Sequence, residues 1–270
     1  MKIFGGNKRL IMRIYDNPCL LKFARLFNRT IVAYLPKVHW PVFLSYYKYF
    51  KDLSSYRKLE CGEQIDSLNL WPCLNDKVST TPVEYLYFYQ DTWASSKIFH
   101  AEPEHHVDIG STALFVGIIS RFTKTYSVDV RPLPVRLNGL ECIKGNITAL
   151  PFKDNSLLSV SSLCVIEHIG LGRYGDPLDP KGTDKAMSEL LRVLAADGSL
   201  YFSIPIANKN TVYFNAHRAF NVDTFVKRFH SVEFAEIKFV QGNTIYAQDE
   251  LNRLDLSRHT VGLFHLIKLK

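Results

Sequence analysis

The alternation of strand and helix patterns between residues 105 and 206 is the feature that most constrains the fold of this chain. Apolar spacing typical of helices occurs at residues 113–120 and 183–194. Short apolar and β-branched runs, typical of buried strands, occupy residues 105–107, 126–130, 140–144, 157–165 and 200–206. Strands that alternate with helices predict a mostly parallel sheet with helices on both faces.

Two more strand patterns lie near the end of the sequence, at residues 232–240 and 263–269. No long helical pattern separates them, so we expect a terminal antiparallel pair. The α/β pattern begins at about residue 76. We therefore predict an α/β domain over residues 76–270, preceded by a mainly helical extension over residues 1–75.

The extension carries the positive charge of the chain. Residues 1–60 hold 12 Lys and Arg against 3 Asp and Glu, whereas the remaining residues hold 21 against 23. A nearly neutral α/β domain argues against a nucleic-acid groove, so no nucleic-acid partner is expected. The basic extension leaves a local attraction to anionic surfaces open.

Asn17 and Pro18 start a predicted helix in this extension, and Pro36 ends it. Its apolar residues fall on one face and its basic residues on another. Such a helix either lies on an anionic membrane surface or packs its apolar face on the main domain. The apolar residues are Leu20, Ala24, Phe27 and Ile31, and the basic ones are Lys22, Arg25 and Arg29.

The five cysteines are odd in number, scattered, and include no CxxC pair. This favours reduced thiols in a cytoplasmic protein over a disulfide framework or a zinc ribbon. No apolar run approaches the ~18–20 residues of a membrane span. We expect a cytoplasmic protein, peripheral to the inner face of the membrane if the basic helix binds lipid.

Ligands of open α/β sheets bind beyond the carboxyl ends of the strands. The turn at Gly110 follows the first strand, and glycine permits a left-handed backbone or a close ligand approach. Asp129 lies 21 residues after Asp108, where an acid can accept hydrogen bonds from ribose hydroxyls. An Asp that is simply exposed at the end of a strand is the alternative.

Three segments in order resemble the class I S-adenosylmethionine-dependent methyltransferases. They are GNITALPFKDNS at residues 145–156, VIEHI at 165–169 and RVLAADG at 192–198. The chain departs from the general pattern at Thr112 and Leu114, which replace glycines, and at Asn146, which replaces Asp. The Asn amide oxygen can still accept a hydrogen bond from an adenine amino group.

A narrower resemblance, over roughly residues 84–240, is to the DUF268 family, a methyltransferase-like group often associated with bacterial surface polysaccharide synthesis. Its segments here are YFYQDTWASSK (87–97), DIGS (108–111), DVRPL (129–133), EH (167–168), GRYGDPLDP (172–180) and FNAHR (214–218). The resemblance implies a Rossmann-like sheet, S-adenosyl-L-methionine as cofactor, and a sugar or glycan acceptor that can be lipid-linked. The oligomeric state is left open.

The resemblance also implies a cofactor site, residue by residue. Asp108, Gly110 and Ser111 would line the methionine and ribose side of the cofactor. Asp129 would hold the ribose hydroxyls. The adenine would be faced by Asn146 and Ile147.

A hydroxyl acceptor needs a base for its proton. His217 is one candidate, with Asn215 and Arg218 as substrate contacts, and a structural histidine is the alternative. Glu167 and His168 are the other candidates, although in many class I methyltransferases this pair shapes the pocket wall.

The loop at residues 170–182 could act as a lid or bind the acceptor through Arg173 and Tyr174. We weigh a hard cation at Asp176 and Asp179 against a loop that caps the following helix, and predict no metal site.

Two functions follow from these patterns, and the absence of a GxGxxG motif counts against a third, a nicotinamide oxidoreductase. The first is an S-adenosylmethionine-dependent methyltransferase that O-methylates a sugar or surface-polysaccharide intermediate. The alternative is a catalytically inactive Rossmann-like binding or scaffold protein in polysaccharide synthesis, which predicts an occluded cofactor pocket.

Overall fold

The computed structural model describes residues 40–59, 65 and 69–270. The chain divides into two compact units, Met1–Thr81 and Pro82–Lys270, and each is described by itself. In the first unit, helix α1 spans Trp40–Tyr56 and leaves Phe43, Tyr47 and Phe50 more than half exposed. The predicted basic helix before Pro36 lies outside the described residues. No helix in the described part of the chain is long and apolar enough to cross a bilayer.

The second unit is an alternating α/β fold. A short 3₁₀ helix at Ile166–His168 follows the fourth strand, and another at Gln248–Arg253 precedes the last strand. The elements in chain order are α2 (Tyr85–Ala101), β1 (His105–Ile109), α3 (Ala113–Ile119), β2 (Lys124–Asp129), β3 (Leu140–Lys144), β4 (Leu157–Leu163), α4 (Gly182–Val193), β5 (Leu194–Ile206), β6 (Thr211–Tyr213), β7 (His217–Ala219), α5 (Val222–Val226), β8 (Val232–Gln241), β9 (Thr244–Ala247) and β10 (Thr260–Lys268).

Eight strands form the main sheet in the order β3-β2-β1-β4-β5-β10-β8-β9. The five strands from β3 to β5 are parallel, and β10, β8 and β9 run antiparallel to their neighbours. The predicted mostly parallel sheet with antiparallel strands at its end is confirmed. The antiparallel part has one strand more than expected, because β9 returns along β8.

Strand β5 begins earlier than the sequence pattern suggests. Asp197 has a left-handed backbone, with φ +60°, and its turn lies within the strand. The pairing with β4 shifts there, since Leu157 faces Leu194 but Ser159 faces Ser199. The residues before 200, which the sequence pattern left outside the strand, therefore belong to β5 and include a bulge.

Apolar side chains cover both faces of the sheet. Tyr201 and Phe202 are consecutive on β5, and they belong to different buried clusters because successive strand residues point to opposite faces. Helix α2 places Trp93 and Ile98 in the cluster of Tyr201, whereas α4 places Leu190 in the cluster of Phe202. Helices therefore pack on both faces, which leaves the carboxyl edge of the parallel strands for the site.

Candidate active site

Two adjoining cavities lie at the carboxyl ends of the parallel strands. The first cavity has a volume of about 410 Å³ and the second about 280 Å³. Gly110, Cys164, His168 and Tyr174 line both cavities. Molecules bound in the two cavities would therefore meet at these four residues.

Gly110 forms the turn after β1. Its φ is +74°, a conformation that favours glycine, and its N–H donates to the Val128 carbonyl at 3.0 Å. A Cβ at this position would lie 2.9 Å from Cγ1 of Val165 and 3.7 Å from Oδ2 of Asp129. The missing side chain therefore keeps open the space between the ends of β1, β2 and β4.

Asp108 is fully buried behind this turn and lines neither cavity. Burial raises the pKa of its carboxyl to about 6, although hydrogen bonds to Ser111 and Ser161 oppose the rise. The Ser161 hydroxyl donates to Oδ1 at 2.6 Å and the Ser111 N–H donates to Oδ2 at 3.1 Å. Asp108 thus fixes the turn, and Ser111 lines the second cavity.

Asp129 lines the first cavity at the end of β2. Its Oδ1 accepts from the Arg131 N–H at 2.7 Å, which orients the carboxylate. Asn146 and the buried Ile147 line the same cavity. The Asn146 Oδ1 accepts from the N–H and the hydroxyl of Thr148, each at 3.0 Å, so this oxygen is held within its own turn.

Asp176 shapes the loop that follows the first 3₁₀ helix. Its carboxylate accepts from the backbone N–H groups of Gly170 at 2.6 Å, Tyr174 at 3.3 Å and Gly172 at 3.4 Å. Partial burial raises the pKa of Asp176, but these hydrogen bonds outweigh it and lower the pKa below its usual range.

The cation weighed for Asp176 and Asp179 gains no support from this geometry. Asp179 pairs with Lys185 at 2.6 Å. The described residues contain no group of three or more His, Cys, Asp or Glu side chains that could hold a metal ion.

Tyr174 joins this loop to both cavities. Its ring lies between two guanidinium groups, 4.6 Å from that of Arg131 and 5.1 Å from that of Arg173. His168 contacts the ring edge-on at 5.6 Å. Residues of this loop thus border both the first cavity, which Arg131 lines, and the second cavity, which Arg173 lines.

Glu167 and His168 lie against the second cavity. Glu167 is 1% exposed, and its Oε2 has no hydrogen-bond partner among the described residues. Burial raises the pKa of Glu167 to about 8 and lowers the pKa of His168. His168 Nδ1 lies 2.6 Å from the Ala216 carbonyl, so Nδ1 carries the proton, and Nε2 lies 3.6 Å from Glu167 Oε1. Both groups are therefore mainly neutral at pH 7 and do not form an ion pair.

His217 lines the second cavity, with its ring 6.4 Å from that of His168. Asn215 and Arg218 line neither cavity. Asn215 is an exposed turn residue with φ +63°. The guanidinium of Arg218 is buried and donates to the Ile169 carbonyl at 2.6 Å and to the Thr183 hydroxyl at 3.1 Å. Arg218 therefore stabilises the ends of the loop, and the structure does not bring it to the site.

Tyr87, Thr112, Cys164 and His259 also line the second cavity, and none of them was predicted from the sequence as a site residue. Cys164 follows β4 directly, has φ +52°, and shares a hydrogen bond with Glu167. Its position directly after a parallel strand could have identified it from the sequence as a site residue. His259 lies immediately before the antiparallel strand β10, which starts at this edge of the sheet, and nothing in its local sequence indicates that position.

Comparisons with known proteins agree with the fold. The family model described as a Caenorhabditis protein of unknown function, DUF268, matches residues 152–248, which confirms the resemblance seen in the sequence. No curated protein matches the chain.

Among solved structures, the N-methyltransferase NodS from Bradyrhizobium japonicum WM9 is similar with a TM-score of 0.50 and 12% identity, over 69% of this chain and 98% of that chain. The 1,6-didemethyltoxoflavin-N1-methyltransferase from Burkholderia thailandensis, solved with its substrate and S-adenosylhomocysteine, has a TM-score of 0.48 and 12% identity, over 71% of this chain and 93% of that chain. The likeness to NodS shows that the second unit has the methyltransferase fold.

Proposed function

We propose that this protein is an S-adenosylmethionine-dependent methyltransferase that binds the cofactor in the first cavity and the methyl acceptor in the second. The proposal rests on the arrangement of the two cavities. The turn at Gly110 and the carboxylate of Asp129 both line the first cavity. This cavity meets the polar second cavity at Gly110, Cys164, His168 and Tyr174. Neighbouring cavities suit a reaction in which two bound molecules must meet in a defined geometry.

The residues present fit this cofactor. Gly110 leaves room beside Val165 that a Cβ would fill, and Asp129 supplies a carboxylate for the ribose hydroxyls. Ile147 adds a buried apolar surface for a purine ring. A volume of about 410 Å³ lies within the ~300–1,000 Å³ range of small-molecule sites. An occluded pocket, which the inactive-scaffold alternative predicts, does not match this volume.

When bound, the cofactor supplies an electrophilic methyl group on a sulfonium. The chain has to hold the acceptor in line with that group and remove the acceptor's proton. Glu167 and His217, both at the second cavity, are the groups we propose for the proton. His168 donates its Nδ1 proton to a backbone carbonyl and positions the wall between the cavities.

We further propose a sugar or polysaccharide intermediate, methylated on a hydroxyl, as the acceptor. Two observations support it. The DUF268 family model covers residues 152–248, which include Glu167 and His217 of the second cavity. This cavity is lined mainly by groups that hydrogen-bond to hydroxyls, such as Tyr87, Ser111 and Thr112.

Thermal unfolding with a panel of nucleotides tests the cofactor. S-adenosylhomocysteine at about 100 times its Kd is expected to stabilise the fold by about 2.7 kcal/mol and so to raise Tm by several degrees. NADH and ATP at the same concentration should leave Tm unchanged. Both carry phosphates where S-adenosylhomocysteine has an amino-acid tail, and Thr112 and Leu114 replace the further glycines of a dinucleotide-binding turn. A shift with NADH and none with S-adenosylhomocysteine would assign the cavity to another nucleotide chemistry.

A further inference from the structure

The second cavity has an uneven distribution of charged groups. Among the residues that the structure describes, Glu167 is the one carboxyl side chain that lines it, and that group is 1% exposed. Arg173 and His259 line the same cavity and are exposed, and His217 is half-buried. A carboxyl group that accepts a proton once it is ionised therefore lies deep in the cavity, whereas the basic groups Arg173 and His259 lie nearer to solvent.

Arg173 is held in place without an acidic partner. Its Nη1 donates to the Ala216 carbonyl at 3.2 Å, and its guanidinium stacks on Tyr174 at 5.1 Å. None of the salt bridges among residues 40–59, 65 and 69–270 involves it. A positioned guanidinium without a carboxylate partner is suited to a bidentate contact with a carboxylate or phosphate on a ligand.

We propose that the second cavity selects an acceptor that carries a carboxylate or phosphate group, which binds at Arg173 while a hydroxyl of the acceptor faces Glu167. This inference rests on the proposed function and narrows its acceptor class. Within sugars, it favours phosphorylated and uronic sugars over neutral ones. The contact between the anionic group and Arg173 does not change during the reaction. It holds the acceptor in place, so that the hydroxyl is free to react.

The transfer step balances with these groups. The acceptor oxygen forms a bond to the methyl carbon of the sulfonium, and the carbon–sulfur bond breaks with its electron pair staying on sulfur. The hydroxyl proton passes to Glu167 in the fraction of the protein in which this carboxyl is ionised, and that fraction grows as the pH rises toward its pKa of about 8. The products are a methyl ether, a neutral thioether and a protonated Glu167, so no further oxidant or reductant is required.

The test uses three matched sugars: glucose 6-phosphate, glucuronate and glucose. Wild-type protein is first saturated with S-adenosylhomocysteine, and each sugar is then titrated while the histidine imidazole signals are followed by NMR. We expect saturable shifts with Kd values for the two charged sugars at least tenfold lower than for glucose. In Arg173→Gln that preference should disappear, and in the matched control Arg136→Gln, on a loop outside both cavities, it should stay.

The titrations separate the two proposals. A protein that fails to bind S-adenosylhomocysteine contradicts the proposed function, and the sugar titrations on the unloaded protein then still report the charge preference. A protein that binds S-adenosylhomocysteine but shows equal affinity for the three sugars, or no binding of either charged sugar, contradicts the anionic acceptor. An unchanged preference in Arg173→Gln does the same. A preference for only one charged sugar identifies which anionic group the site takes.

Discussion

Glu167→Gln is expected to stabilise the protein, and more strongly at alkaline pH. The Glu167 carboxyl is buried, its Oε2 has no partner among the described residues, and burial raises its pKa to about 8. A Glu in an unfolded chain has a pKa near 4.3, so the folded state binds this proton more tightly than the unfolded state does. Protonation of Glu167 therefore stabilises the folded state relative to the unfolded state. This contribution to the unfolding free energy is complete below pH ~4 and is lost as the pH rises to about 8.

Glutamine does not titrate, so the difference in unfolding free energy between variant and wild type should grow over this interval. We expect less than about 1 kcal/mol at pH 5 and about 2–5 kcal/mol at pH 9. Denaturant unfolding at the two pH values measures it. Glu233→Gln, at an exposed position on β8, serves as the control and should change stability by less than about 0.5 kcal/mol at both. A variant that is less stable than wild type at pH 9 would mean that the Glu167 carboxylate has a stabilising partner.

The same result bears on function. A buried carboxyl that destabilises the fold at alkaline pH is consistent with a group retained for its chemistry at the second cavity. Because Glu167 does not line the first cavity, Glu167→Gln should bind S-adenosylhomocysteine with wild-type affinity.

Gly110→Ala is expected to abolish cofactor binding. The added Cβ would lie 2.9 Å from Val165 Cγ1, on a backbone with φ +74° that residues other than glycine rarely adopt. The left-handed backbone alone costs about 1–2 kcal/mol of stability, and the side chain enters the space shared by the two cavities. We expect at least a hundredfold loss of affinity for S-adenosylhomocysteine, measured by calorimetric titration.

Gly117→Ala provides the matched control. Gly117 lies within α3, and a Cβ there meets nothing within 4 Å, so alanine should stabilise the helix by up to ~1 kcal/mol and leave binding unchanged. Gly110→Ala is folded if its cooperative unfolding transition is retained, which separates a blocked site from a lost fold. Wild-type affinity in a folded Gly110→Ala protein would contradict the place we give to the cofactor.

The parallel core of the sheet and the position of the site were predictable from sequence because both depend on strand ends. Gly110, Asp129 and Asn146 each lie at or just after the end of a parallel strand, and the carboxyl ends of such strands meet at one edge. Helix α2 was not predicted from the sequence, because residues 87–97 were identified only as a segment that resembles the DUF268 family. Its buried Trp93 donates to Glu236 Oε2 at 2.6 Å, a contact across 143 residues that no local pattern contains.

The residues that line the second cavity were harder to predict from sequence, because the side chains of adjacent residues point in different directions. His217 and Arg218 are consecutive on β7, and strand geometry turns their side chains to opposite sides. His217 therefore reaches the second cavity, whereas Arg218 binds the backbone under the loop. Asp108 behaves in the same way on β1, since its neighbour Ile109 lines the first cavity and Asp108 does not.

Calorimetric titration of the purified protein with S-adenosylhomocysteine, repeated on Asp129→Ala, tests the central claim most directly. We predict one site with a micromolar Kd in wild type. In Asp129→Ala we predict a loss of affinity of at least tenfold, since charge-assisted hydrogen bonds to the ribose contribute about 1.5–3 kcal/mol each. No binding heat at several temperatures, from wild-type protein that unfolds cooperatively, would contradict the claim that this cavity holds the cofactor.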